Sequence, residues 1–216
     1  MSETSIEIHH CLESEDQARA DFYALLARLY AGAPDAPLLA AIAAAAPLAP
    51  AVSGTLVVAG DDAKTIAAAW DSLRAASAVM DPEAAGDEFQ ALFVGVGRSA
   101  VSLYASHYLG PQSGRPLAEI RATLAELGLA RRPASSEFED HLSLELETMR
   151  MLVAGDAGRA PASISDQRAF FERHLMPWTF DCCDAISACP IANYYRQVAS
   201  FTLCFLALER DSFAIE

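Results

Sequence analysis

Apolar residues recur at intervals of three and four along most of the chain, the spacing that gives a helix one greasy face. In residues 14–31, SEDQARADFYALLARLYA, that face is Ala18, Phe22, Leu25, Leu26, Leu29 and Tyr30. Ser14 and Gln17 have the spacing of a capping box, and Gly32 with Pro34 stops the helix. A second helix is expected from about Pro37 to Ala46. The stretch PLAPAVSGTLVVAGDDA then reads as a connection, with TLVV a short strand or buried loop and Asp61 or Asp62 capping the next helix. That helix runs through Trp70 to Met80 and ends at Asp81-Pro82, because proline disfavours helical geometry in the residue before it.

Further helices are predicted over Glu83–Val94, Leu117–Gly128, Glu137–Ala154 and Ser165–Leu175, then between Pro177 and Pro190, and finally over Ile191–Glu209. The pattern defines an all-α protein: one helical domain over residues 1–216, with about nine to eleven helices. Between the predicted helices lies GVGRSAVSLYASHYLGPQSGRP, residues 95–116, punctuated by Gly, Ser and Pro and holding Ser102, Tyr104, His107 and Tyr108. Its length suits a functional loop or a hinge, or else a crossover with one short helix.

Hydrophobic residues make up 53% of the sequence, but alanine supplies much of that share, which strengthens the helical reading. The net charge of −14 opposes nucleic acid as a partner, since such binding needs Lys and Arg against phosphates. A basic peptide is the more natural partner, although acidity also serves solubility alone. No run approaches the roughly 18 apolar residues of a membrane span, so no stable membrane insertion is expected. The first residues, MSETSIEIHHCLESEDQ, lack the basic start and apolar run of an export signal, and a cytoplasmic location is expected. Cys11, Cys182, Cys183, Cys189 and Cys204 are odd in number and include no CxxC, which fits reduced thiols rather than a disulfide framework.

The densest chemistry lies in SSEFEDHLSLELETMRMLVAG, where three carboxylates and a histidine fall within Glu137–His141. Ser136 and Glu139 match the S-x-x-E capping box, and Leu142, Leu146, Met149, Leu152 and Val153 form a core-facing stripe. Capping leaves Glu137, Asp140 and His141 unexplained, as either a solvated acidic face or a functional site. A di-iron bundle would need Glu-x-x-His, but Phe138 and Phe171 stand three residues before His141 and His174. HExxH, a nucleophile elbow and a P-loop are also missing, so neither an enzyme nor a cofactor is indicated. A metal or redox protein using His141, Glu145 and the cysteines is the rival from another class. Late in the chain, FFERHLMPWTF sets Phe171, His174, Leu175 and Trp178 at helical spacing, suited to core packing or to one wall of a peptide groove.

The segments EFQALFVGVG, SLYASHYLG, EFEDHLSLELETMRML, FFERHLMPW and NYYRQVASFTLCFLALE occur in that order. Their succession resembles the TorD/DmsD family, with the related NarJ group, of cytoplasmic chaperones that mature molybdoenzymes; RADFYALLARLY is similar to the family's first helix. The match departs at Phe138, which replaces the proline of an E-P-x-D-H motif while Glu137, Asp140 and His141 are kept, and at the proline missing before the S-x-Y segment. The resemblance implies an all-helical fold, a monomer or a domain-swapped dimer, and no catalysis. It implies binding to the twin-arginine signal peptide of a molybdenum-cofactor enzyme, to the catalytic subunit itself, or, as in the NarJ branch, to the mature subunit only. A receptor for two guanidinium groups and an apolar segment needs carboxylates beside a greasy groove. Glu137 and Asp140 are the expected arginine partners, on one helix face. Phe93, Ser102, Tyr104, Leu142, Pro177 and Trp178 are the expected lining, with His141 or His174 reaching peptide carbonyls.

Overall fold

The computed structural model describes residues 14–48, 65–95, 99–110, 114–130, 137–156 and 158–215. The expectations for Cys11, TLVV, Asp61, Asp62 and the Ser136 cap lie outside these residues. Helices dominate: α1 is Ser14–Ala31, α2 Ala36–Ala44, α3 Ile66–Val79, α4 Pro82–Phe89 and α5 Ala105–Tyr108. They are followed by α6 Arg115–Glu126, α7 Leu142–Ala154, α8 Ile164–Phe170, α9 Thr179–Ala188 and α10 Tyr194–Ile215. No strand longer than an isolated bridge occurs among the described residues. None of the described helices is long and apolar enough to cross a membrane.

Local chemistry fixes the helix starts. Asp35 accepts the Leu38 N–H at 3.0 Å to open α2, and Thr65 accepts that of Ala68 at 3.2 Å to open α3. Asp81 accepts from Glu83 and Ala84 at 2.9 and 3.1 Å, with Pro82 as the first residue of α4. The terminal helix has a remote cap: the Glu88 carboxylate of α4 accepts the N–H groups of Asn193, Tyr194 and Tyr195 at 2.8–3.0 Å. A carboxylate there satisfies orphan donors and meets the positive end of the helix dipole.

Two helices widen into π turns. Gln90–Val94 continues α4 and closes with Gly95 N–H to Gln90 C=O at 2.8 Å; Phe171–Leu175 continues α8 and closes with Met176 N–H to Phe171 C=O at 2.9 Å. After α7 the chain reverses at Gly155, whose φ of 74° and a Cβ position only 2.4 Å from the Arg159 carbonyl oxygen both demand glycine.

The core forms where α1 lies along α7 and α10 closes over α3 and α9. Leu142, Leu146, Met149, Leu152 and Val153 are all buried there, as their spacing predicts. Phe22, Trp70 and Phe201 meet with ring centroids 5.1–5.4 Å apart, joining α1, α3 and α10. Arg19 of α1 donates to both Glu209 oxygens at 2.8 and 2.9 Å, and Tyr23 donates to the same carboxylate at 2.8 Å. Buried charge is tolerated because each partner is hydrogen-bonded as well as paired.

α7 begins later than its sequence pattern suggests. Residues 137–140 form a turn, and His141 pairs with Tyr104 in an antiparallel bridge, with Ala105 N–H to Asp140 C=O at 2.9 Å and Leu142 N–H to Leu103 C=O at 2.8 Å. The helix is capped by His141, whose Nδ1 accepts the Ser143 N–H at 3.2 Å. Glu139 instead pairs with Arg121 of α6 at 2.9 Å.

Candidate functional site

The bridged residues Tyr104 and His141 border a cleft of about 380 Å³, lined also by Tyr30, Ala31, Phe89, Phe93, Val94, Ser99, Ser102, Leu103 and Glu137. Three parts of the chain supply most of it: the end of α1, the first π turn, and the extended segment leading into α5. The π turn helps set the wall, because an extra residue in the turn changes which side chains face the cleft. Phe93 packs against Phe89, Tyr195 and Tyr30 with centroids 5.2, 5.0 and 6.4 Å apart.

A second, wider hollow of about 590 Å³ adjoins it, lined by Ser102, Tyr104, Ser106, His107, Gly114, Leu117, Phe138 and Asp140. Ser102 and Tyr104 belong to both. Phe138, which stands where the resembled motif has proline, is exposed on this side.

Polar groups in the cleft have defined partners. The Tyr104 hydroxyl donates to Glu137 Oε2, and the Tyr104 ring meets that of His141 edge-on at 4.8 Å. Burial, with help from Glu137, raises the Tyr104 pKa well above the phenol range. Burial holds the His141 pKa below the usual histidine value, opposed by Glu137 and Asp140. Its Nδ1, 2.8 Å from Ser143 Oγ and accepting the Ser143 N–H, suits neutral imidazole.

Five of the ten sequence-predicted residues, Phe93, Ser102, Tyr104, Glu137 and His141, therefore line one cleft, and Asp140 borders the adjoining hollow. The single helix face expected for Glu137 and Asp140 is replaced by a turn that aims them at different hollows. Asp140 is only 2% exposed, and its Oδ2 accepts the Ser106 N–H at 3.2 Å at the start of α5. Leu142 and Trp178 are fully buried in the core and line neither hollow. His174 is buried too, with Nε2 2.9 Å from Thr123 Oγ1, and burial with Arg173 nearby lowers its pKa to about 4. Pro177 is exposed but lines neither hollow. Tyr30, Ala31, Phe89, Val94, Ser99 and Leu103 complete the cleft and escaped prediction, although Phe89 stands four residues before Phe93, the spacing that brings two rings together on one helix face.

Trp178 is linked to the cleft through Tyr108 and Ser102. Its indole stacks on Tyr108 at 5.5 Å and donates to Glu145 Oε2 at 3.0 Å, while the Tyr108 hydroxyl donates to the Ser102 carbonyl at 2.9 Å. Glu145 is 1% exposed, and burial pushes its pKa well above the ordinary carboxylate range; the indole bond opposes this and Asp140 adds to it. A raised folded-state pKa contributes stability in full below the unfolded value, about 4.3, and that contribution is lost as pH rises toward the folded value. Glu145→Gln keeps an acceptor for Trp178 and cannot ionise. It should raise the melting midpoint at pH 8 by about 2–4 °C, on the order of 1 kcal/mol, and by less at pH 5. Equal gains at both pH values in paired thermal melts would refute the linkage.

Among the described residues no three His, Cys, Asp or Glu side chains gather where a metal could sit. Burial pushes the Cys182 thiol up to about 12, and burial likewise raises Cys183, so both are neutral thiols inside α9.

A family model described as nitrate reductase delta subunit matches residues 59–184, more than half of the chain and the part that contains all ten candidate residues. The chain belongs to this family, the NarJ/TorD family that the order of its motifs resembles. Its sequence is 27% identical over 131 residues to the chaperone protein TorD of Photobacterium profundum, covering 56% of this chain and 60% of that one. It is 32% identical over 105 residues to the perchlorate reductase assembly chaperone protein of Dechloromonas aromatica, covering 43% and 46%. The chain spans about half the length of the curated relatives it matches.

Proposed function

We propose that this protein is a non-catalytic assembly chaperone of the cytoplasm that binds the twin-arginine signal peptide of a molybdenum-cofactor oxidoreductase in the cleft beside Tyr104. The observation that carries this reading is the juxtaposition of the Glu137 carboxylate with the half-buried Phe93 ring, backed by the buried rings of Tyr30 and Phe89, in one cleft. A carboxylate accepts two parallel hydrogen bonds from a guanidinium, and Phe93 with the exposed Val94 beside it takes apolar side chains of the same peptide. The overall charge of −14 adds long-range attraction for a basic segment.

Titration calorimetry with a twin-arginine peptide and its twin-lysine version tests the reading. The arginine peptide should bind and the lysine version should bind about tenfold more weakly, the difference of roughly 1.4 kcal/mol that a lost bidentate contact produces. Glu137→Gln should weaken the arginine peptide by a similar factor while moving the melting midpoint by no more than about 2 °C, as suits a substitution outside the core. Equal affinity for both peptides would remove arginine recognition. Capture of a reductase subunit stripped of its signal peptide, with no affinity for the peptide itself, would move recognition to the mature subunit.

A further inference from the structure

The two hollows share Ser102 and Tyr104 but differ in chemistry. Glu137 lines only the inner cleft, and Phe138, the next residue along, lines only the outer hollow of about 590 Å³. Among the described residues lining that hollow Asp140 alone is acidic, and at 2% exposed with Oδ2 on the Ser106 N–H it offers an incoming cation little. What the hollow does offer is apolar. Phe138 is 54% exposed, and Leu117 of α6, partly buried against the core, lines the same concavity with Tyr104. A phenylalanine exposed singly on a convex surface would be ordinary, whereas one set in a hollow that continues into a cleft marks a place for a ligand.

Resting on the reading of the inner cleft as an arginine-peptide site, we infer that the outer hollow is a second subsite, which takes the continuing apolar segment of the same peptide on the Phe138 ring. A peptide held by a guanidinium on Glu137 can continue along Phe93 and Val94 or past Tyr104. A cleft of about 380 Å³ that also holds an arginine side chain leaves little space for a run of apolar residues. The larger outer hollow supplies it. Extended chain covers about 3.3 Å per residue, so roughly three residues beyond the arginine pass the Tyr104 side chain that the hollows share. Glu137 thus receives the polar end of the peptide, and the apolar end covers Phe138. A second copy of this chain is the other candidate to cover that ring, but a net charge of −14 on each copy opposes it.

Calorimetry on wild type, Phe138→Ala and Glu137→Gln uses two twin-arginine peptides, one with leucines in its apolar segment and one with serines in their place. Phe138→Ala should weaken the leucine peptide about tenfold and the serine peptide less than twofold, whereas Glu137→Gln should weaken both alike. That coupling is not what a general loosening of the fold produces. Binding that depends on Glu137, while Phe138→Ala affects both peptides equally or neither, overturns this inference and leaves the arginine site standing. Failure of wild type to bind either peptide, or indifference to Glu137→Gln, overturns the site and this inference with it. A second readout needs no variant. The leucine peptide carrying a photoreactive benzophenone in its apolar segment should label Phe138 or Leu117 of wild type, and labelling confined to other residues, Phe93 and Val94 included, overturns the subsite. Sedimentation tests the other occupant: a wild-type dimer that Phe138→Ala dissociates would give the hollow to a second copy and overturn it equally.

Discussion

Trp178→Ala is expected to cost about 3–5 kcal/mol, a fall of roughly 10 °C in the melting midpoint. The indole is fully buried, so its removal leaves a cavity that the surrounding helices can fill only in part. It also strips the buried Glu145 carboxyl of its donor and takes the stacking surface from Tyr108, the residue that holds the Ser102 carbonyl. Peptide binding should fall as a consequence of that loosening. Trp178→Phe keeps most of the volume and loses only the N–H, so its cost should be nearer the roughly 1–3 kcal/mol of an unsatisfied buried acceptor. A Trp178→Ala protein that melts like wild type yet binds no peptide would place the indole on the binding surface and contradict its buried position.

The second large effect is expected at Asp140. Removing the carboxylate in Asp140→Ala leaves the Ser106 N–H without its side-chain acceptor and frees the start of α5, at about 2 kcal/mol or roughly 4–8 °C. Asp140→Asn retains an oxygen acceptor and should recover most of that loss. Thermal melts of the two variants distinguish a structural oxygen from a required charge: near-equal losses would mean that the negative charge, and not the cap, is what the fold uses.

The helices were legible because their apolar stripes are local: Leu142, Leu146 and Met149 announce a buried face whatever lies opposite. Asp81-Pro82 and the Gly32–Pro34 stop were legible for the same reason. The start of α7 was not, because Ser136, Glu139 and the acidic run look like a first turn, whereas a pairing across 37 positions, from Tyr104 to His141, holds that stretch extended at its end. The π turn at Gln90–Val94 was hidden for a related reason. An aromatic at Phe93 suits an α or a π turn of QALFV equally, and the rings it packs against, Phe89 and Tyr195, are set by the tertiary fold. The candidate site was half legible. Glu137, His141 and Tyr104 carry polar groups that folding does not obviously need, but an aromatic such as Trp178 suits a groove wall and a core equally, and its depth is a tertiary property.

The remote cap on the terminal helix has a temporal consequence. Glu88 supplies the first hydrogen bonds of α10 from a helix more than 100 positions earlier, and Tyr195 of α10 in turn backs Phe89 and Phe93, the two rings that wall the cleft. Until α10 has left the ribosome, Glu88 lacks the N–H groups of that helix and the two phenylalanines lack the Tyr195 ring. The wall of the cleft therefore reaches its final packing only after α10 itself has been made.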